Sequence, residues 1–477
     1  MQTVPSATRR RFLARAAVLV LASACAWSGP ASADPPPVTG PLAANPFLGP
    51  LGTATMHGDA GSSDVTPLAG PAPGAGVTVY PLGAACPTLL EGADGLVVGL
   101  CTAIAGQTPT VFLFDPGASG PVGGAVASLP LTKGSLLGGV YAFLDNEDRL
   151  VVVDGGRRLL RVAHVRDEDG AWRLVATVQA DLSSSIPQGD NVTGLVPDWA
   201  GNVWFATGHG VVGFVGREGG VATVALPSGE LVANSISSAP NGGVAVASTH
   251  ALYELRAKNV EPEILWRAAY DRGTARKPGQ LSWGTGSTPT YFGPERGDEY
   301  VAIVDNADNG VRLIVARSGS GEQVCSVPVP VGGSENSPIG VGSSVFVAST
   351  YGYPYPTVPE GAGPAVPASA PFRGGLSRVD LTANGCVPVW DSGVRSAAVP
   401  RLSLADGGIH TLRRIGPDAT SPLDGFDYVV IDPATGAVRT STPLPGTVAE
   451  DPLQMAALIT RGGALWQGTV TGVVRIG

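Results

Sequence analysis

The stretch DNVTGLVPDWAGNVWFATGHGVVGFV, from Asp190 to Val215, contains the repeating unit of this 477-residue chain. It runs from a short apolar strand through an Asp, Gly and Asn turn into two further apolar strands. Alternation of this kind, broken by turn residues, is typical of antiparallel β-structure. Eight segments share the plan, at intervals of 43 to 64 residues, and their equivalent positions are Cys86, Gly139, Asn191, Asn234, Thr288, Asn336, Pro400 and Pro452.

Self-similarity at this spacing predicts an all-β fold, a β-propeller of eight blades with four antiparallel strands each. Seven blades remain an alternative if the first repeat is misread. The last repeat ends after its third strand, at residues 472–477, whereas a spare strand at residues 77–82 precedes the first repeat. We therefore expect the propeller to span residues 77–477, with the N-terminal strand completing the last blade.

The N-terminus predicts export. Residues 1–33 combine a basic start, a short apolar run and the tripeptide Ala31-Ser32-Ala33, which indicates a signal peptide cleaved after Ala33. Residues 8–13, TRRRFL, resemble the twin-arginine motif of proteins exported in the folded state. An ordinary secretory signal with several arginines is the alternative. Both interpretations predict a secreted or extracytoplasmic protein.

Residues 34–76 form a leader between this signal and the propeller. Its DPPPVTGP start is typical of a disordered segment, whereas His57, Asp59 and Asp64 are polar groups that could reach the channel mouth. We expect the leader to be partly disordered or to cover the channel.

Composition and charge limit the classes of binding partner that are expected. The chain has 67 Gly and 42 Pro with only 14% charged residues, which favours many short strands joined by turns. Removing residues 1–33 takes away four arginines and no acid, so the formal charge changes from −9 to −13. An acidic chain without a later long apolar run predicts no nucleic acid partner and no stable membrane insertion. A monomer that binds a small neutral ligand or a cation at the channel is expected.

Four cysteines follow the signal. Cys86 and Cys101 flank a hairpin turn, which predicts a disulfide between them, and an even count suits an exported protein. Cys325 and Cys386 are the remaining pair, with two buried free thiols as the alternative.

Propeller geometry predicts which face carries the site. The inner strand of each blade starts at one face, and the loop between the second and third strands returns to it. Candidate catalytic residues in those loops are His209 and His250. Candidate metal ligands at the strand starts are Asp190, Asn191, Asn234, Glu335, Asn336 and Asp451.

These residue types suit a cation site. Carboxylate and amide oxygens are the ligands that calcium prefers, and histidine transfers protons near neutral pH. The alternative is that Asn and Asp only complete tight turns. The segment Tyr353–Gly375 interrupts the sixth repeat and should project on the same face, as a lid or a tolerated insertion.

Residues 191–207, NVTGLVPDWAGNVWFAT, and residues 234–248, NSISSAPNGGVAVAS, resemble the repeats of secreted metal-dependent propellers, namely the gluconolactonase and paraoxonase group and the streptogramin lyases. The resemblance implies calcium or another divalent cation held by Glu335, Asp451 and the three asparagines, with His209 or His250 taking the lyase role. Eight blades are also found in quinoprotein dehydrogenases, but the chain lacks their regular Trp docking turn, so pyrroloquinoline quinone is not expected.

The resulting prediction is metal-assisted hydrolysis, or lyase action, on a small ester or lactone. The alternative is a secreted binding propeller without turnover.

Overall fold

The computed structural model describes residues 1–3, 42–117, 124–134, 141–359 and 361–477. Most of the predicted signal peptide, with its cleavage site, and the start of the second repeat at Gly139 therefore lie outside the described residues. Within those ranges the chain forms strands, and its one helical element is a 3-10 turn at Val448–Glu450. No helix in these ranges is long and apolar enough to cross a membrane.

Two short strands, β1 (Val65–Thr66) and β2 (Val77–Pro81), precede the blades. Blade 1 contains β3 to β6, at Ala84–Glu91, Val97–Ala103, Pro109–Phe114 and Ala125–Pro130. Blade 2 contains β7 to β10, at Ala142–Leu144, Leu150–Val153, Arg158–Arg166 and Trp172–Asp181. Blade 3 contains β11 to β14, at Val192–Pro197, Val203–Thr207, Val211–Val215 and Val221–Ala225. Blade 4 contains β15 to β18, at Ser237–Ser238, Val244–Ala247, Ala251–Lys258 and Glu261–Ala269.

The second half of the ring repeats the arrangement. Blade 5 contains β19 to β22, at Thr290–Phe292, Tyr300–Val304, Arg312–Arg317 and Gln323–Pro328. Blade 6 contains β23 to β26, at Ile339–Val341, Ser344–Ala348, Leu376–Thr382 and Gly385–Ser392. Blade 7 contains β27 to β30, at Arg401–Ser403, Ile409–Ile415, Gly425–Ile431 and Val438–Pro443. Blade 8 contains β31 to β33, at Ala457–Ile459, Leu465–Gly468 and Gly472–Ile476, together with β2.

Eight blades of four antiparallel strands confirm the predicted fold and exclude the seven-blade alternative. The predicted closure is also confirmed, because β2 pairs antiparallel with β33 from Val77 opposite Ile476 to Pro81 opposite Gly472. Both ends of the propeller thus share one sheet. A ring closed in this way leaves only the short outer edges of its blades unpaired.

Burial follows strand position within each blade. Inner strands such as β11 are buried along their whole length, whereas outer strands such as β6 alternate between exposed and half-buried residues. Asp198 and Asn202 stabilise the turn between β11 and β12. Asp198 accepts hydrogen bonds from the backbone of Ala200 and Asn202, each at 2.9 Å, and from Trp204 Nε1 at 2.8 Å. The turn acid therefore fixes the hairpin and satisfies the one polar atom of a buried tryptophan.

Both predicted disulfides are present. Cys86–Cys101 joins the first two strands of blade 1, and Cys325–Cys386 joins the outer strands of blades 5 and 6. The alternative of two free thiols at the second pair is wrong. The first bridge closes a hairpin, whereas the second links neighbouring blades.

Residues 42–66 of the leader lie inside the ring; we call them the leader plug. The last residues of four inner strands form hydrogen bonds with it. Glu91, Leu144 and Ser238 donate their backbone amides to the carbonyls of Thr53, Ala54 and Ala60, and the carbonyl of Pro197 accepts from the Asn45 side chain. Further on, Gly340 donates to Ser63, and β1 pairs parallel with β27. The leader plug thus fills the channel at the ends of the inner strands, opposite the face where those strands start.

The insertion at residues 353–375 is held over that starting face. Arg276 donates through Nε to the carbonyl of Gly363 at 3.0 Å and accepts from the amide of Val366 at 2.8 Å. Phe372, near its end, is buried and donates its amide to Asp418 at 2.9 Å. The insertion therefore lies on the face that the sequence predicts for it.

Candidate functional site

A cleft of about 820 Å³ opens on the face where the inner strands of blades 3 and 4 begin. Its walls come from the β12–β13 loop, the β16–β17 loop, the connection between β18 and β19, and the insertion. The polar and aromatic residues that line it include Lys133, Asn191, His209, His250, Arg272 and Trp283. The structure thus brings both predicted catalytic histidines to one cleft, because each lies in a loop that returns to the same face.

His209 is oriented by a buried carboxylate. Its Nδ1 lies 2.9 Å from Oδ1 of Asp190, whose side chain is buried, while 68% of the histidine side chain is exposed. The same oxygen accepts the backbone amides of Asn191 at 2.8 Å and His209 at 3.1 Å. Since Nδ1 is engaged, Nε2 is the ring nitrogen that remains for a ligand in the cleft. Oδ2 of Asp190 is buried and has no hydrogen-bond partner among the described residues.

His250 lies in a different environment. Its Nδ1 contacts the hydroxyl of Thr249 at 2.9 Å, and its Nε2 lies 2.5 Å from Nη1 of Arg272. Burial lowers the pKa of His250, and the Arg272 charge lowers it further. A neutral imidazole that accepts from Arg272 fits this contact, because the guanidinium can only donate.

Arg272 stacks on Trp283, with its guanidinium carbon 3.8 Å from the ring centroid. The indole is itself anchored, since Nε1 donates to the carbonyl of Arg272 at 3.1 Å, and 38% of the residue stays exposed. Both residues lie between β18 and β19, at positions that the sequence analysis did not select. The repeat pattern treats this connection as a spacer, so periodicity gave no signal for them.

A buried network supports the cleft behind His250. Burial raises the pKa of Glu230, but hydrogen bonds from Ser248, Tyr253 and Arg267 outweigh it and lower the pKa below its usual value. Ser248 donates to Glu230 at 2.5 Å and also accepts the backbone amide of His250 at 3.1 Å. Glu230 therefore fixes the loop that carries the histidine.

Two of the predicted metal ligands, Glu335 and Asn234, lie next to each other. Both carboxylate oxygens of Glu335 are buried and lack a well-aligned hydrogen bond among the described residues. Burial raises the pKa of Glu335 to about 7, although the neighbouring Asn234 side chain opposes this. Asn234 donates to the Gly286 carbonyl at 2.7 Å, and its Oδ1 accepts from the hydroxyl of Tyr141 at 3.4 Å.

The other predicted ligands are engaged elsewhere. Asp451 accepts from Arg414 Nη1 at 2.7 Å and from the Tyr353 hydroxyl, and burial raises its pKa. Asn336 donates to Gln454 at 3.0 Å. Asp190 and Asn191 belong to the His209 side of the face.

No group of three or more His, Cys, Asp or Glu side chains in the described part of the chain is placed to hold a metal. Glu335 and Asn234 alone supply fewer oxygens than the six to eight that calcium takes. Calcium binding by these six residues therefore stays a prediction.

The comparisons with known proteins assign this chain to no family. No protein-family profile matches the chain, and no curated protein matches it in sequence. A streptogramin B lyase structure matches with a TM-score of 0.42 at 9% sequence identity. The match covers 84% of this chain and 97% of the lyase chain. An inactive virginiamycin B lyase from Staphylococcus aureus with quinupristin has a TM-score of 0.37 at 11% identity, covering 74% and 96%. The Dos1 propeller has a TM-score of 0.39 at 9% identity, covering 86% and 95%.

At such identities and TM-scores the likenesses carry no assignment of activity. The eight blades of the structure confirm that the chain has the propeller fold that the sequence repeats resemble.

Proposed function

We propose that this propeller hydrolyses a small ester or lactone in the cleft, with His209 as the general base. One observation carries the proposal: Nδ1 of His209 is fixed on the buried carboxylate of Asp190, and its exposed ring faces a cleft large enough for a small molecule. An imidazole held by a carboxylate in this way is suited to proton transfer at neutral pH.

The reaction needs one water and one proton shuttle. Nε2 of His209 takes a proton from the water as its oxygen attacks the carbonyl carbon, and Asp190 stabilises the imidazolium that forms. Asn191, which lines the same cleft, offers a side-chain amide to the developing oxyanion. When the carbon–oxygen bond to the alcohol breaks, the imidazolium returns the proton to the leaving oxygen. Acid and alcohol are the products, and the histidine is again neutral.

The test is hydrolysis of p-nitrophenyl hexanoate and of a panel of lactones by the wild type and by His209→Gln. We expect the variant to lose at least about a hundredfold in kcat/KM with an unchanged Tm. His164→Gln is the matched control, because His164 also pairs with an aspartate, Asp94 at 2.6 Å, outside the cleft. Equal rates for His209→Gln and the wild type would overturn the assignment of the base.

Binding without turnover is the second candidate, favoured by the Arg272 and Trp283 pair, which forms a flat cationic and aromatic surface in the cleft wall. Ligand binding by calorimetry, with no hydrolysis of any ester or lactone, would support it over the enzyme.

Export is part of the proposal. Disulfides persist in oxidising compartments, and this chain has two that join strands of its blades. Intact-mass measurement of the secreted protein tests this, and we expect a mature chain beginning at Asp34. An uncleaved chain retained in the cytoplasm would contradict it.

A further inference from the structure

The described wall of the cleft carries two cations although the chain as a whole is acidic, and the carboxylates of Asp190 and Glu230 lie behind that wall. The sequence carries a formal charge of −9, yet the described residues that line the cleft include Lys133 and Arg272 and no Asp or Glu. Neither cation forms an ion pair with a described residue. A cationic side chain exposed in a cleft wall attracts anionic groups of a ligand locally.

The guanidinium of Arg272 has hydrogen-bond partners within the described part of the chain for only some of its N–H groups. Its Nη1 meets His250, its face covers Trp283, and its Nε is buried without a hydrogen-bond partner among the described residues. Burial also lowers its pKa, which reflects the cost of desolvating an unpaired guanidinium. Leaving buried donors unpaired costs free energy that a bound acceptor would recover.

The guanidinium is also held in a fixed orientation. Stacking on an anchored indole and contact with the His250 ring restrict its rotation, so its remaining N–H groups present a planar fork. A carboxylate matches such a fork with two parallel hydrogen bonds, whereas a neutral carbonyl can accept only part of it.

We propose that Arg272 binds a carboxylate on the ligand, so that the substrate is an ester or lactone carrying a second, free carboxylate group. The inference rests on the proposed function for the hydrolysed bond, while the recognition of the carboxylate is a property of Arg272 itself. Lys133, on the same cleft wall, adds long-range attraction without a fixed geometry.

The experiment compares two esters that differ only at the far end of the acyl chain: mono-p-nitrophenyl adipate, which ends in a carboxylate, and p-nitrophenyl hexanoate, which ends in a methyl group. We expect the wild type to favour the adipate by about tenfold or more in kcat/KM. Arg272→Gln should bring the ratio of the adipate rate to the hexanoate rate close to one. Arg272→Lys, which keeps the charge without the fork, should retain part of the preference.

Arg166→Gln is the matched control. Arg166 also stacks on a tryptophan, 4.0 Å from the ring of Trp172, but it lies on blade 2 outside the cleft. The ratio should not change in this variant. A ratio that falls equally in Arg166→Gln and Arg272→Gln would overturn the inference.

A binding measurement separates this inference from the proposed hydrolysis. Titration calorimetry with hexanoate and hexanamide should show at least about tenfold tighter binding of the carboxylate, lost in Arg272→Gln. Tighter binding of hexanoate, with no hydrolysis of either ester, would support carboxylate recognition and reject the proposed hydrolase activity. Hydrolysis of both esters at equal rates, with equal binding of hexanoate and hexanamide, would reject carboxylate recognition and leave the hydrolase standing.

Discussion

Two His–Asp pairs with nearly the same N···O distance lie in opposite parts of the propeller. In the cleft, Nδ1 of His209 is 2.9 Å from Asp190, and in the leader plug Nδ1 of His57 is 3.0 Å from Asp64. Only 9% of the His57 side chain is exposed, against 68% for His209. The same bond can therefore orient a base at a cleft or stabilise the packing of a segment, and access to the second ring nitrogen decides which.

The surroundings of the buried pair agree with a structural role. Ser337, at the start of blade 6, donates to Oδ2 of Asp64 and contacts Nδ1 of His57 at 3.2 Å. Arg401, buried in blade 7, lies 4.0 Å from Asp64 and donates to the carbonyl of Met56. These contacts tie the leader plug to two blades.

The largest expected effect is on stability. Asp64→Asn keeps the side-chain shape and suits the left-handed backbone at φ 55, but it removes the charge facing Arg401. We expect a loss of about 3 kcal/mol in the free energy of unfolding, because one partner of a buried ion pair is left alone. The same change at Asp190, whose partner His209 is largely exposed, should cost about 1 kcal/mol, because the Asn Oδ1 can still accept the two backbone amides that Asp190 holds. Urea unfolding of both variants measures the difference, and equal losses would remove the contrast between the pairs.

Activity should show the reverse order. Asp190→Asn should lower kcat/KM by about a hundredfold, because a neutral amide no longer stabilises the imidazolium that forms at His209. Asp64→Asn, assayed well below its unfolding temperature, should keep the wild-type kcat/KM. Ester hydrolysis by the two variants at one temperature is the measurement. A comparable fall in both would mean that the leader plug also shapes the cleft.

A smaller effect is expected from one hydroxyl. Ser337→Ala removes a donor to Asp64 and should cost about 1 to 2 kcal/mol. Ser282→Ala is the matched control, since the Ser282 hydroxyl is buried without a partner among the described residues and its loss should be neutral or stabilising. Thermal unfolding of the two variants gives the comparison; if Ser337→Ala matched the control, the hydroxyl would not contribute to the plug.

The smallest effect is a pH dependence. The pKa of His250 is lowered from 6.5 in the folded protein, so the unfolded chain binds its proton more readily. This contribution to stability is fully present above about pH 6.5 and is lost as the pH falls towards the folded pKa. His250→Gln should therefore lose less stability than the wild type between about pH 7 and pH 5. Urea unfolding at both pH values tests it, with His164→Gln as the control.

The sequence predicts the fold well because its signals are local. Strand alternation, turn acids such as Asp198 and the spare strand at residues 77–82 each act within one or two strands, and together they define eight blades and their closure. The disulfide Cys86–Cys101 follows the same logic, whereas Cys325–Cys386 links two blades and was predicted only as the remaining pair.

The site is predicted only in part because its contacts cross blades. The loops that bring His209 and His250 together follow from the repeat, but Arg272 and Trp283 lie in an irregular connection that has no counterpart in the pattern. The ion pair of Asp451 with Arg414 joins different blades and could not be read from spacing. Nor does the net charge of the chain predict the local charge of one cleft.

The closing strand also sets an order in time. A ribosome makes β2 about 390 residues before β33, the strand with which it pairs in the described part of the chain. The strand β2 emerges early but can pair only after β33 has been made, so a nascent chain lacking blade 8 has no closed ring. Closure of the ring therefore waits until the last blade has been made.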